Sequence, residues 1–353
     1  MGKLLYVAKY PIGVNSRAKD VESLIDIESN DVRIVGIHGL GGIGKTTIAK
    51  VVYNKIVGNF ERSCFLANVR ENSRTDDDTI KLQEKILSKS LQNQHLKVNN
   101  VSEGINVIKE RLRSKRFLLV LDDVNESKQI ENLLGKHDWL VSGSRVIITT
   151  RDEHLLTTLG KVCTTKNYEV KELDNHEALE LFSQYAFQKV EPDEEYSELT
   201  NQALNYAKGL PLALEIIGSN LCGETKPVWE STLHKYEKYP NERINKILEI
   251  SYDGLEENEK NIFLDISCFF KGRSKDFVVN ILDKCSLYPN SGIPILVNKS
   301  LITIDQNDTI SMHDLIQQMG MEIVRQEPPK ILRKRRRICN HEDALEVLTR
   351  NKV

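Results

Sequence analysis

The stretch that most constrains this chain is Gly39-Leu40-Gly41-Gly42-Ile43-Gly44-Lys45-Thr46-Thr47. It follows an apolar run, Val32-Arg33-Ile34-Val35-Gly36-Ile37-His38, and precedes a segment of helical character from Thr47 to Val57. The pattern Gly-x-x-x-x-Gly-Lys-[Ser/Thr] therefore stands between a strand and a helix, the setting in which it carries chemistry. Glycines let the backbone turn tightly and bring its N–H groups up to phosphate oxygens. The helix that follows aims its positive end at the same anion. Lys45 is placed to reach the β and γ phosphates, and the Thr46 hydroxyl to hold Mg²⁺. A P-loop is expected, with Gly39, Gly41, Gly42, Ile43, Gly44, Lys45, Thr46 and Thr47 around the phosphates.

Two later runs belong with it. Lys115-Arg116-Phe117-Leu118-Leu119-Val120-Leu121-Asp122-Asp123-Val124 holds five consecutive apolar residues, the signature of a strand buried on both faces of a parallel sheet. Two carboxylates close it, where open α/β sheets bind ligands. After a P-loop this reads as a Walker B pair, with Asp122 on the Mg²⁺ and Asp123 orienting or deprotonating an attacking water. Ser144-Arg145-Val146-Ile147-Ile148-Thr149-Thr150 is a further strand ending in Arg151-Asp152. Spacing leaves two readings of Arg151 open: a cation that senses the γ-phosphate, or a surface ion pair with Asp152 or Glu153.

Between these runs, Cys64 to Val69 reads as a strand, residues 70–79 as a polar surface loop, and Lys81 to Leu91 and Val101 to Leu112 as helices. Ahead of the P-loop, Ala18, Val21, Leu24 and Ile25 share one face of a helix.

From Tyr168 the chain reads as mostly helical. Asn175 is the expected N-cap of a helix through Phe187. Gly209 and Pro211, in Gly209-Leu210-Pro211-Leu212-Ala213-Leu214, stop one helix and start the next. Phe263 to Phe270 reads as a buried helix. Helices around two short strands, Leu301 to Ile304 and Thr309 to Met312, describe a winged-helix unit. Its last helix, Leu315 to Val324, has no basic residue, so DNA binding is not expected. Arg333-Lys334-Arg335-Arg336-Arg337 reads as a solvated linker or as a nuclear-import or nucleic-acid patch, and Glu342 to Leu348 as a short helix.

Composition excludes little. The 353 residues are 40% hydrophobic and 28% charged, an ordinary globular balance with room for two or three domains. A net charge of −2 gives no argument for polyanionic partners, and no run of apolar residues is long enough to span a bilayer. Cys64, Cys163, Cys222, Cys268, Cys285 and Cys339 form no Cys-x-x-Cys pair, so free buried thiols in the cytoplasm or nucleus are expected.

Taken in order and spacing, these motifs resemble the NB-ARC module of plant TIR-type disease-resistance receptors, which are STAND P-loop NTPases. The resemblance runs over residues 11–350 and rests on the P-loop, Leu119 to Val124, Gly143 to Arg151, Gly209 to Leu214, Phe263 to Phe270, and Met312-His313-Asp314. It implies an α/β P-loop NTPase domain, a parallel sheet with helices on both faces, followed by a helical-bundle subdomain and a winged-helix subdomain. The expected boundaries are a lead at 1–12, the nucleotide-binding domain at 13–165, the helical subdomain at 166–240, the winged helix at 241–327 and a linker at 328–353.

The resemblance also implies roles. Pro211 would pack on the adenine, with Val14 and Arg17 beside the base. Arg151 would sense the γ-phosphate, and His313 would touch the β-phosphate of ADP. Asp314 reads as the N-cap of the final helix. The implied activity is an ADP/ATP switch with Mg²⁺ and slow hydrolysis, its partners a second copy or a full-length receptor. A truncated adaptor, a turnover ATPase of the AAA+ kind and a P-loop transcription activator are the rival readings. No TIR-like segment precedes Pro11 and no leucine-rich repeats follow residue 350, so the chain reads as either a truncated gene product or an excised central module.

Overall fold

The computed structural model describes residues 4–90, 97–135, 139–160, 165–327 and 336–338, with positions 345 and 349. The helix expected from Glu342 to Leu348 falls outside them apart from Leu345. The chain divides into two units, Met1–Gly39 with Ile43–Lys171, and Leu40–Gly42 with Glu172–Val353.

The first unit runs α1 (Val14–Ile25), β1 (Arg33–His38), α2 (Lys45–Ile56), β2 (Arg62–Leu66), α3 (Asp76–Ser90), α4 (Val101–Leu112), β3 (Phe117–Val124), α5 (Ser127–Leu134), β4 (Arg145–Thr150), α6 (Glu153–Gly160) and β5 (Thr165–Glu169). The strands form one parallel sheet in the order β2-β3-β4-β1-β5. β4 is buried along its whole length, and β1 and β3 nearly so. Side chains alternate between faces, so such burial requires cover on both. Ile34, Leu119, Leu121, Val146 and Ile148 join a core with Leu82 and Ile86 of α3, Ile108 of α4 and Ile130 of α5. Val35, Leu118, Val120 and Ile147 alternate with these and are equally buried, and α2 packs against β1, β3 and β4.

Arg145, at the head of β4, is fully buried. Its guanidinium donates to the carbonyls of Ile25, Asp26, Ser29, Asp31 and Ser144 at 2.6–2.9 Å, tying down the connection between α1 and β1.

The structure moves several expected boundaries. β2 starts at Arg62 and ends at Leu66 instead of running from Cys64 to Val69. The cause is Asn68, at φ 54°, which turns the chain out of the sheet. The polar stretch 70–79 holds a short 3₁₀ turn, Glu71–Ser73, and the start of α3. β5 was not expected, because Thr165-Lys166-Asn167-Tyr168-Glu169 is polar and only part-buried on the sheet edge.

In the second unit α7 (Asn175–Ala186), α8 (Ser197–Ala207), α9 (Pro211–Leu221) and α10 (Lys226–Lys238) surround Trp229. Phe182, Phe187 and Tyr196 pack on that ring with centroids 4.9–5.9 Å away. Asp174, not Asn175, caps α7, through a capping box with Glu177. Gly209 has φ 74°, and a Cβ there would stand 2.5 Å from the Leu173 carbonyl, so only glycine fits between α8 and α9. Pro211 takes the first position of α9. The Leu212 N–H donates to the Gly42 carbonyl at 3.2 Å within this unit.

Next come α11 (Glu242–Asp253), α12 (Glu257–Asp265), α13 (Lys275–Lys284), α14 (Pro289–Asn298), β6 (Thr303–Ile304), β7 (Ile310–Ser311) and α15 (Asp314–Gln326). β6 and β7 pair antiparallel as a wing. The run expected as one buried helix is α12 followed by a π-helical turn, Ile266–Phe270, and Phe269 is 45% exposed.

Arg337, expected in a solvated linker, is 3% exposed instead. It donates to Asp265 at 2.5 Å and to the Asn261 side chain at 2.9 Å, so this end of the basic run is an anchor. Arg333, Lys334 and Arg335 lie outside the described residues. Among the cysteines expected as free buried thiols, Cys64 is free and buried, Cys222 free and part-buried, Cys285 free and exposed, and Cys268 is disulfide-bonded.

Candidate functional site

Parallel register brings the carboxyl ends of β1, β3 and β4 level, with His38 and Val124 both paired to Thr150. The P-loop leaves β1, the acid pair closes β3 and Arg151 follows β4, so three sequence motifs meet at one sheet edge. Gly39, Gly42 and Gly44 have φ of 139°, 80° and 102°, conformations that side chains resist. A Cβ at Gly44 would meet nothing within 4 Å, so open space faces the loop at this residue. No side chain caps the first turn of α2, leaving its N-terminal end suited to an anion. Ile43 is buried and Thr47 part-buried.

Lys45 is buried and donates to the Gly39 carbonyl at 2.8 Å. Burial, with the nearby Arg151 charge, pushes its ammonium down to about 7 against the pull of Asp123 and Asp122. Such a site disfavours a bare cation and would be relieved by an anion.

Asp122 is fully buried. Its Oδ1 accepts from the Thr46 hydroxyl and from the Thr149 hydroxyl, each at 2.7 Å. Its Oδ2 is buried with no hydrogen-bond partner among the described residues. A buried carboxylate oxygen without a partner is costly unless something else binds it.

The ladder between β3 and β4 shifts register between Leu121 and Val124, and Asp123 sits at φ 60°. This bulge re-aims its carboxylate. The Asp123 N–H donates to the Thr149 hydroxyl at 2.8 Å. Asp123 Oδ2 accepts from Arg70 Nε at 2.9 Å, with Arg70 Nη2 also 2.9 Å away as an ion pair, and Arg151 Nε lies 3.9 Å from Oδ1. Arg70 was missed in the sequence because it sits in the stretch read as a surface loop. Its position depends on the turn at Asn68 and on the Val69 and Arg70 N–H groups, which donate to the Asp122 and Asp123 carbonyls.

The remaining expected residues lie on other elements. Val14 opens α1, and Arg17 Nη1 donates to the Gly13 carbonyl at 2.7 Å. In the second unit His313, not Asp314, caps α15: its Nδ1 accepts from the Leu315 N–H at 3.2 Å. Nε2 then carries the hydrogen and donates to the Lys208 carbonyl at 3.2 Å. Burial holds the imidazole below its ordinary range, against the Lys208 carbonyl and the Glu172 and Asp314 charges. Asp314 is the first helical residue and pairs with Lys271 and, at 3.8 Å, with Lys208.

An NB-ARC domain profile matches residues 17–191, and the winged-helix domain of Roq1-like disease resistance proteins matches residues 256–328. The chain belongs to the NB-ARC family. Disease resistance protein RPV1 of Vitis rotundifolia is 46% identical over 97% of this chain and 24% of its own length. TMV resistance protein N of Nicotiana glutinosa is 41% identical over 89% of this chain and 27% of its own. The chain thus spans about a quarter of the length of these relatives. A Walker-type ATPase of Pyrococcus abyssi shares the fold, with a TM-score of 0.59 at 15% identity over 88% of this chain and 96% of that one. NB-ARC membership and the P-loop fold imply nucleotide binding. Among the described residues no helix is long and apolar enough to cross a membrane.

Proposed function

We propose that this chain is the ADP/ATP switch of a plant disease-resistance receptor, holding ADP with Mg²⁺ at rest and ATP when active. The observation that carries the reading is the group of buried Lys45, part-buried Thr46 and buried Asp122, with the orphaned Asp122 Oδ2, beside a glycine loop open at Gly44. These residues fit a magnesium nucleotide: Thr46 and Asp122 offer hard oxygen ligands, as Mg²⁺ prefers. Bound there, Mg²⁺ would neutralise charge on the β and γ phosphates. Lys45 and the α2 N–H groups would hold the same phosphates.

Arg151 is proposed as the γ-phosphate sensor, Pro211, Val14 and Arg17 as adenine contacts, and His313 as the contact that favours ADP. Moving a two-state equilibrium from 1:99 to 99:1 takes about 5.5 kcal/mol of differential affinity. A terminal phosphate met by Lys45, Mg²⁺ and Arg151 can supply energy of that order. Activation is proposed to favour self-association or assembly with a full-length receptor, in the cytoplasm or nucleus. Hydrolysis is proposed to be slow. Asp123, the carboxylate nearest to general-base duty, has one oxygen already held by the Arg70 guanidinium, through a hydrogen bond from Nε and an ion pair with Nη2. Steady-state turnover of Mg-ATP by the purified chain tests this. A switch hydrolyses far less than one ATP per minute, whereas sustained turnover of many per minute would make it a working ATPase instead.

A further inference from the structure

We infer that Arg70 is a positioning residue for terminal-phosphate recognition, which holds Asp123 off Arg151. This rests on the reading of Arg151 as the γ-phosphate sensor. Two guanidinium groups draw on the single Asp123 carboxylate, and they do so unequally. Arg70 makes the two-pronged contact, Nε and Nη2 both at 2.9 Å from Oδ2, while Arg151 Nε stands 3.9 Å from Oδ1. The Arg70 backbone N–H also donates to the Asp123 carbonyl at 3.0 Å, so backbone and side chain fix the same residue. All three side chains are four-fifths buried or nearly so, where solvent screens charge poorly.

The consequence is a competition. A terminal phosphate that engages Arg151 must draw it from Asp123, and Asp123 would itself repel that phosphate. Arg70 reduces both costs, because it compensates the carboxylate charge and keeps the carboxylate directed at itself. Without Arg70, Asp123 closes on Arg151 and stands uncompensated beside the incoming charge. A diphosphate, which lacks the terminal group, does not enter this competition. Arg70 therefore sets the preference for tri- over diphosphate without touching nucleotide. It also explains why a polar stretch leaving β2 is turned back onto the end of β3.

The test is a double-mutant cycle on the full chain, reading dissociation constants for Mg-ATP and Mg-ADP. Arg70→Ala is expected to weaken Mg-ATP about tenfold, the worth of one charged hydrogen-bond pair, with Mg-ADP changed less than about twofold. Asp123→Asn removes the competing charge, so Arg70→Ala added to it is expected to change the ratio no further. Arg70→Lys, which keeps the charge but loses the fork, is expected to fall between wild type and alanine, and it carries the test should the alanine variant not fold. An unchanged ATP to ADP ratio in both Arg70 variants, or an equal loss of both nucleotides, overturns the inference. So does an Arg70→Ala effect that persists in the Asp123→Asn background. Arg151→Ala separates the two claims: if it leaves the ratio unchanged the sensor reading fails, and if only it moves the ratio the fault lies with Arg70.

Discussion

Thr149→Val removes one oxygen and keeps the shape of the side chain, so it isolates what that hydroxyl does. Thr149 is 1% exposed. Its hydroxyl donates to Asp122 Oδ1 at 2.7 Å and accepts the Asp123 N–H at 2.8 Å. Losing a hydrogen bond to a buried carboxylate costs about 1.5–3 kcal/mol, and losing a neutral one about 1 kcal/mol. Because Asp122 Oδ2 has no partner already, Thr46 alone would then hold the carboxylate, and the expected total is about 3 kcal/mol. For a unit of this size that lowers the melting temperature by about 6–12 °C. Scanning calorimetry of nucleotide-free protein at neutral pH reads it directly, with Thr149→Ser as the control that keeps the hydroxyl and most of the stability. A Thr149→Val protein that melts with wild type would mean that Asp122 does not depend on Thr149, and the account of how β4 supports the acid pair would fall.

Two further predictions concern the second unit. Asp314→Val removes pairings with Lys271 and Lys208 at the start of α15. Two part-exposed pairs are worth about 1 kcal/mol together, so bound nucleotide should shift towards ATP by about fivefold; an unchanged ADP:ATP ratio on extraction would count against it. His313 gives a pH signature. Burial holds its folded pKa below the ordinary 6.5, so its stabilising term is fully present above that value and is lost as pH falls from there through the folded pKa. Protonation also removes the Nδ1 acceptor that caps α15. Wild type should therefore lose stability between pH 7 and 5.5 more steeply than His313→Asn, which can cap without titrating. Parallel urea midpoints for the two proteins would dismiss the idea.

What the sequence shows of this fold depends on how local each determinant is. The glycine loop, the continuous apolar run of β3 and the acid pair after it are legible because glycine conformation, two-faced burial and chain order leave few alternatives. β5 is not, since an edge strand with polar, part-exposed residues lacks both apolar alternation and a continuous core run. Arg70 and Arg337 look alike in sequence, each a basic residue in a polar stretch. Only tertiary folding sets them apart from solvated charges, one against Asp123 and the other against Asp265. Arg145 stands at the head of an apolar strand, yet its five carbonyl partners include the last residue of α1 and three from the distant connection between α1 and β1. The second Walker carboxylate was readable as an acid, but its pairing was not, because that depends on a left-handed residue and a bulge.

The central claim is that the glycine loop and Lys45 hold a nucleotide tightly enough to define the resting state. Chromatography of the nucleotide released when purified, desalted protein is denatured tests it most directly. Wild type should release close to one ADP per chain, and Lys45→Ala should release almost none. Equal nucleotide from both proteins, or none from wild type, would contradict the switch.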